Sequence, residues 1–325
     1  MAYRMNRRAF VGASAATAAL AGTGALAQQP APQPQTFLAG LVPSAPRPPA
    51  TPAVPGAPAP ARAAQTDADR AKSYFAAMDD AARLGVHNIE KTQPAVNFID
   101  MYKGRESEFL AELNKRNLKL VGAINNFHPG RADLRATMVA ENLRTARFVK
   151  AMGGKYTAAL VAPIDSANGS VANNGTVKDF TNLDFKTVAS NMDEMARTGF
   201  EETGIQLGYH PEFGDVSSGL MQYLMEGTQH LCMFADLGWM QEGGFDAVAT
   251  AKKYYSRING FHLRDYSPPK TPGASPIVPL GQGMMDVKGL IQFLREQKFT
   301  GCVMGEGSTN QLNYDYMHGT LGLTF

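Results

Sequence analysis

Short apolar runs alternate with amphipathic stretches along most of the chain. Apolar residues recur with helical spacing over residues 69–84, 106–116, 133–152, 185–198, 217–229, 246–257 and 287–297. Short apolar runs suited to buried strands stand between them: VHNIEK, LKLVGAIN, YTAALVAP, GIQLGYH, LCMFADLG, INGFHLRD and GCVMGE. With TFLAGLV near residue 40 there are eight strands, so the pattern predicts an α/β protein with a single (β/α)8 TIM barrel. No Gly-rich phosphate-binding turn follows the first strand, which argues against a dinucleotide-binding sheet.

The first 27 residues have the pattern of an export signal. NRRAFVG carries two adjacent arginines, a weakly apolar run covers residues 13–26, and ALA at 25–27 offers small residues for cleavage. The apolar run is too short and too rich in Ala and Gly to span a membrane. We therefore predict a twin-arginine signal peptide at 1–27 and a periplasmic mature protein without stable membrane association.

Proline-rich segments mark the boundaries within the chain after residue 27. The composition predicts a disordered linker at 28–35 and a barrel domain at 36–325, with a Pro/Ala-rich loop inserted at 43–65 after the first strand. The net charge of +2 lacks the basic excess of a nucleic-acid-binding protein. Two cysteines, Cys232 and Cys302, exclude a disulfide framework, although buried free thiols and a single bridge both stay open.

Four late strands end in polar residues of the types that bind metals. They are His210, Asp236, His262 and Glu306. In a (β/α)8 barrel the carboxyl ends of the strands form the active-site mouth, so these side chains are expected to converge there. A lone His is often a structural residue, and an Asp at a strand end can cap the next helix. Four such residues at the same point of four consecutive strands favour a divalent metal site.

Several blocks of the chain resemble one superfamily. They are LGYHPEFG, FADLGWMQEGGFD, RINGFHLRDYSP, GQGMMD and VMGEGS. Together they are similar to the xylose-isomerase-like barrels of the sugar phosphate isomerase/epimerase family, over about residues 70–308. The resemblance implies a metal set of His210, Asp236, His262 and Glu306. Many sugar epimerases have Glu where this chain has His210, so either His210 or the nearby Glu212 is expected to complete the set.

The resemblance also bears on substrate and reaction. Trp239 stands where nucleases of the superfamily carry a metal-binding His, which argues against a three-metal nuclease; it is expected to stack on a sugar ring or to make a lid contact. We expect Glu306 to be the catalytic base, with His210 or Glu212 as the second proton carrier. The remaining candidates for substrate binding are Arg264, Asp265, Glu90, Asn125 with its neighbour Asn126, and His128.

The predicted function is isomerisation or epimerisation of a small sugar or keto-sugar, by proton transfer through a metal-stabilised enediolate. The metal would be Mn, Mg, Fe, Co or Zn. A dehydratase or lyase of keto-sugars or keto-glycosides would use the same residues, and a non-catalytic periplasmic sugar-binding barrel is an alternative of another class. The partners expected are a small carbohydrate and no nucleic acid; whether the protein is a homo-oligomer stays open.

Overall fold

A computed structural model describes residues 34–43, 66–91, 95–162, 180, 183–269 and 275–325, all within the compact unit Gln33–Phe325. The predicted signal peptide, nearly all of the predicted linker and nearly all of the Pro/Ala-rich loop lie outside the described residues. These three therefore stay predictions.

Eight parallel strands close into a barrel, which confirms the predicted fold class. The described strands are β1 (Leu38–Leu41), β2 (Asn88–Lys91), β3 (Lys119–Phe127), β4 (Tyr156–Val161), β5 (Gln206–Tyr209), β6 (Cys232–Asp236), β7 (Ile258–Leu263), β8 (Asp265–Tyr266), β9 (Ile277–Val278) and β10 (Cys302–Gly305). The barrel order is β1, β10, β7, β6, β5, β4, β3, β2 and back to β1, whereas β8 and β9 form a separate antiparallel pair. Strands β5, β6, β7 and β10 are therefore neighbours, which brings their carboxyl ends together.

The described helices follow the strands on the chain. They are α1 (Asp67–Arg83), α2 (Ala95–Met101), α3 (Glu106–Lys115), α4 (Arg135–Ala151), α5 (Phe185–Thr203), α6 (Phe213–Ser218), α7 (Leu220–Gly227), α8 (Leu237–Glu242), α9 (Ala247–Lys253), α10 (Val287–Glu296) and α11 (Asn310–Tyr314). The helix predicted at 217–229 is interrupted by Gly219, whose φ of 90° is incompatible with a continuous helix and separates α6 from α7. Pattern reasoning also missed α8, which is too short to show helical periodicity.

The barrel interior is filled by side chains below the mouth. They are Val42, Val121, Ile124, Tyr156, Ala158, Leu160, Phe234, Cys302 and Met304. The rings of Tyr156 and Phe234 stack with centroids 4.4 Å apart. A Cβ at Gly260 would lie 2.1 Å from the Phe234 ring, so only glycine leaves room for this ring in the interior. A larger apolar cluster packs the strands against the outer helices.

One sequence alternative is decided here. Cys232 and Cys302 are both free thiols, so the single bridge is not formed. Burial raises the pKa of the Cys302 thiol to about 12, which keeps it protonated. Among the helices of the described ranges, none has both the length and the apolar content to cross a membrane.

Candidate metal centre

The four residues at the ends of β5, β6, β7 and β10 converge on one point. One ligand atom from each of His210, Asp236, His262 and Glu306 lies within 4.8 Å of all the others. His262 Nδ1 is 2.6 Å from Glu306 Oε2 and 2.9 Å from His210 Nε2. Asp236 Oδ2 is 3.5 Å from His210 Nε2 and 3.8 Å from His262 Nδ1. Two imidazoles and two carboxylates thus present their donor atoms to a common space.

Strand pairing explains this convergence. Asp236 of β6 is the register partner of His262 in β7, and Met304 of β10 is the partner of His262 on the other side. Glu306 lies two residues beyond Met304 and therefore on the same strand face. On β6, Asp236 has two roles: its Oδ1 accepts a hydrogen bond from Trp239 N at 3.0 Å and caps α8, whereas Oδ2 faces the cluster.

Burial and neighbouring charges set the protonation of the cluster. Burial, reinforced by the His262 charge, lowers the pKa of His210 to about 4, so this imidazole is neutral. Burial also lowers the pKa of His262, but the Glu306 and Glu90 carboxylates outweigh it and raise this pKa well above its ordinary value. Burial raises the pKa of Glu306, whereas Arg264 and His262 outweigh that effect and hold it well below its usual range. His210 Nδ1 is buried without a hydrogen-bond partner among the described residues.

Glu90 lies behind His262, although sequence reasoning predicts it in the substrate pocket. Its side chain is fully buried, with Oε1 and Oε2 at 3.0 and 3.2 Å from His262 Nε2. The Tyr156 hydroxyl also donates to Glu90 Oε2. Because Nε2 is the ring nitrogen that does not face His210 and Glu306, the Glu90 contact directs Nδ1 toward the cluster. A carboxylate behind a histidine ligand in this way fixes its tautomer and raises its basicity.

Arg264 lies across the cluster. Its Nε is 2.8 Å from Asp236 Oδ2, and its Nη2 is 2.7 Å from Glu306 Oε2. The guanidinium carbon is 5.0 Å from the centroid of the Trp239 ring, which makes a cation–π contact. Burial lowers the pKa of Arg264, but the two carboxylates outweigh it and raise this pKa further, so the group is a permanent cation.

The other predicted residues lie around the cluster or away from it. Glu212 is half-buried at the start of α6 and is not among the four clustered donors, although its charge reaches Arg264. Asp265 accepts hydrogen bonds from the backbone N–H groups of Tyr266, Gly281, Gly283 and Met285. It therefore holds the loop after β9.

Of the predicted residues at the end of β3, Asn125 points away from the barrel mouth. Asn125 donates from Nδ2 to Thr145 Oγ1 of α4, so its amide faces the outer helix layer rather than the mouth. Asn126 and His128 are half-buried beyond it.

Glu242 is a residue that sequence reasoning missed. It ends α8, three residues after Trp239, and its Oε2 is buried without a hydrogen-bond partner among the described residues. Burial and the nearby Asp236 charge raise the pKa of Glu242, whereas Arg264 opposes the rise. The sequence could have pointed to Glu242 only through its place on the short helix that Asp236 caps. That helix is too short to be predicted from hydrophobic periodicity.

Fold and site together define a TIM barrel with a candidate metal centre at the carboxyl ends of its strands. The chain belongs to the xylose isomerase-like TIM barrel family, whose profile matches residues 78–316. No curated protein matches the sequence.

Solved structures of the same fold include enzymes and a magnesium complex. A xylose isomerase-like TIM barrel protein from Mycobacterium smegmatis in complex with magnesium is 16% identical, with 78% of this chain and 88% of that chain covered and a TM-score of 0.56. The 3-keto-D-glucoside 4-epimerase of E. coli is 14% identical, with coverage of 75% and 92% and a TM-score of 0.53. The probable 3-DHS dehydratase of Bacillus anthracis is 15% identical, with coverage of 79% and 93% and a TM-score of 0.53. At these identities the likeness extends to the fold alone.

Proposed function

We propose that this protein is a metal-dependent isomerase or epimerase of a small sugar or keto-sugar, exported to the periplasm. The observation that carries the proposal is the four-residue cluster, because imidazole and carboxylate donors at this spacing suit a divalent metal. Family membership and the neighbouring keto-glucoside epimerase support a carbohydrate substrate. The carboxylate behind His262 also fits a metal centre better than a purely structural cluster.

The metal would be held by His210, Asp236, His262 and Glu306. A bound Mn, Mg, Fe, Co or Zn ion would polarise a substrate carbonyl and so acidify the neighbouring C–H bond. His210 is already neutral, whereas His262, whose pKa is raised, would have to release a proton to act as a neutral ligand; Glu90 would orient its ring. Asp236 would contribute a single oxygen, since its other one caps α8.

Glu306 is the base in this proposal. Its side chain is 17% exposed, whereas the other three members of the cluster are at most 3% exposed, so it alone has access to the mouth. The Glu306 carboxylate would accept the proton from the substrate carbon, and its low pKa keeps it ionised before that step. Arg264, which contacts Glu306, would remain beside it as a fixed positive charge.

The second proton carrier has to come from beside the cluster, because His210 is enclosed by His262 and Asp236. Glu212 and Glu242 are the candidates, since the charges of both interact with Arg264. Glu242 has the pKa raised by burial, which suits a group that delivers a proton. Return of the proton to the neighbouring carbon gives an isomer, and return to the opposite face gives an epimer.

A dehydratase or lyase is the second candidate. Because β5 ends in His210, the cluster has only two carboxylates, Asp236 and Glu306, and Asp236 is fully buried. It therefore lacks a second accessible carboxylate that could exchange a proton on the opposite face of a substrate. One base and one acid beside the leaving group are sufficient for elimination. The dehydratase among the structural neighbours is compatible with this chemistry.

The test combines metal analysis with product analysis. Purified protein is analysed for bound metal, then treated with a chelator, reloaded with Mn²⁺ and incubated with 2-keto and 3-keto sugars in D₂O. We expect incorporation of deuterium at carbon and a product of unchanged composition; loss of water would instead support elimination. Removing the base in E306Q should lower the rate by about 10²–10⁴-fold. Binding of sugars without exchange, product or stoichiometric metal would refute the proposal in favour of a non-catalytic binding protein.

Separate variants address the acid. E242Q and E212Q each replace a carboxyl by an amide of the same shape. The variant that removes the proton donor should retain deuterium exchange at the substrate carbon but lose product formation, whereas the other should retain both. Loss of neither activity in either variant would contradict a carboxyl as the second proton carrier.

A further inference from the structure

We infer that Arg264 is a built-in counter-ion that competes with the divalent cation for Asp236 and Glu306, and so sets how tightly the site binds metal. This inference rests on the proposed function in one respect, that the cluster binds a divalent cation. The inference goes beyond the proposed function because it assigns control of metal affinity to Arg264.

The competition is for the same two oxygen atoms. Asp236 Oδ2 and Glu306 Oε2 are the atoms that approach the ring nitrogens of His210 and His262, and they are also the atoms that contact Arg264 at 2.8 and 2.7 Å. Asp236 cannot offer its second oxygen instead, because Oδ1 accepts the hydrogen bond from Trp239 N. A cation that binds Asp236 must therefore share Oδ2 with Arg264 or displace it.

Electrostatics make sharing unfavourable. A divalent ion bound within reach of these oxygens would lie close to the guanidinium, and two positive charges at such a separation repel strongly where water is excluded. Without metal, the same guanidinium neutralises two carboxylates that would otherwise repel each other in a buried site. Arg264 thus stabilises the metal-free protein and opposes loading.

The geometry of the contact is consistent with displacement. Arg264 Nε and Asp236 Oδ2 are close, but neither makes a hydrogen bond of good geometry among the described residues. The contact therefore has the attraction of an ion pair without the directional bond, which makes it easier to break.

The exposure of Arg264 and its contact with Trp239 are compatible with an outward shift of the guanidinium. Its side chain is 14% exposed and its guanidinium already lies over the Trp239 ring, so a small outward shift would preserve the cation–π contact while leaving the two oxygens. Two glycines make room for the side-chain stem in its present position. A Cβ at Gly238 would lie 2.9 Å from Arg264 Cβ, and one at Gly307 would lie 3.2 Å from Arg264 Cγ.

The experiment measures metal binding rather than turnover. Wild type, R264M and R264K full-length proteins are treated with a chelator and titrated with Mn²⁺ by calorimetry at fixed pH and ionic strength, and their thermal melting is recorded with chelator and with Mn²⁺. R147M is the matched control, because Arg147 forms an exposed ion pair with Glu202 between α4 and α5.

We expect R264M to bind Mn²⁺ about tenfold or more tightly than wild type, since a charge-assisted contact no longer has to be broken. Its melting temperature should fall in chelator and recover with Mn²⁺, so the metal-induced shift grows. R264K should lie between the two, and R147M should bind like wild type. If R264M does not fold in chelator, the same comparison is made with R264K.

Equal or weaker Mn²⁺ binding by the Arg264 variants, with normal binding by wild type, would overturn this inference and leave the proposed function standing. Absence of binding by wild type of all five candidate ions, Mn²⁺, Mg²⁺, Fe²⁺, Co²⁺ and Zn²⁺, would overturn both.

Discussion

Replacement of Glu90 by Gln should weaken metal binding, although Glu90 is not one of the four proposed ligands. The Glu90 carboxylate accepts from His262 Nε2 and from the Tyr156 hydroxyl, and it is fully buried. Gln keeps the shape but removes the charge, and in either orientation its NH₂ group would face His262 Nε2, which lies 3.0 and 3.2 Å from the two oxygen positions and is itself a donor. His262 therefore loses basicity and a fixed orientation, and both are needed for Nδ1 to act as a ligand.

The size of the effect follows from these contacts. Loss of a partner behind a ligand histidine costs about 10–100-fold in metal affinity, or about 1.4–2.7 kcal/mol. In the metal-free protein, one buried donor left without an acceptor costs a further ~1–3 kcal/mol of folding stability. E90Q should therefore bind Mn²⁺ about 10–100-fold more weakly and unfold at lower urea concentration.

Calorimetric titration with Mn²⁺ and urea denaturation in chelator measure the two effects. Y156F is the matched variant, because it removes the second donor to Glu90 while leaving the contact with His262 and most of the ring packing against Phe234. With one donor fewer, Glu90 accepts more strongly from His262, so Y156F should bind Mn²⁺ as tightly as wild type or more tightly. Weaker Mn²⁺ binding by E90Q together with equal or tighter binding by Y156F would show that Glu90 acts by orienting His262. Weaker binding by both variants would instead indicate general damage to the core.

The reasoning is refuted if E90Q binds Mn²⁺ as tightly as wild type. If its Michaelis constant for the sugar then rises at unchanged metal affinity, Glu90 acts on the substrate, as the sequence interpretation has it.

Two further predictions concern protonation and loop order. The pKa of His210 is about 4 in the folded protein and near 6.5 when unfolded, so the unfolded chain takes up the proton first as pH falls and stability is lost between about pH 6.5 and pH 4. In urea denaturation with chelator, wild type should lose roughly 2 kcal/mol more stability than H210N between about pH 7 and pH 5. Parallel stability-against-pH profiles of the two proteins would contradict a buried neutral imidazole at His210. D265N should expose the amides of Gly281 and Gly283 to faster hydrogen exchange, because the Asp265 carboxylate accepts from both. Unchanged protection of these amides would show that other contacts hold the loop.

The barrel could be predicted because its signal is repeated. Each strand is a short apolar run, and a helical stretch separates it from the next strand. A misplaced boundary in one strand or helix therefore does not change the number of strands predicted. Local boundaries depend on single residues instead. Gly219 ends α6 through a backbone conformation that hydrophobic periodicity does not detect, and α8 contains less than two turns of helix.

The four clustered donors were also accessible to sequence reasoning, because His210, Asp236, His262 and Glu306 each close an apolar run and the barrel rule brings such positions together. The contacts among them were not accessible. That Asp236 uses one oxygen to cap α8 and the other to face the cluster depends on a side-chain rotation, and that Arg264 contacts Asp236 and Glu306 depends on the direction of the chain as it leaves β7.

Glu90 illustrates what a strand-by-strand interpretation omits. The end of an apolar run indicates which residue is near the end of a strand, but the stagger between strands determines how high in the barrel that residue lies. β2 pairs with β1 through a single register pair and shifts register against β3 between Ile89 and Glu90. As a result Glu90 meets Tyr156, a residue of the packed interior, and not the open mouth. Its bond to His262 joins residues 172 positions apart in the chain. The polar layer beneath the candidate metal centre is therefore a consequence of barrel closure, and its prediction would require knowledge of the stagger between the strands.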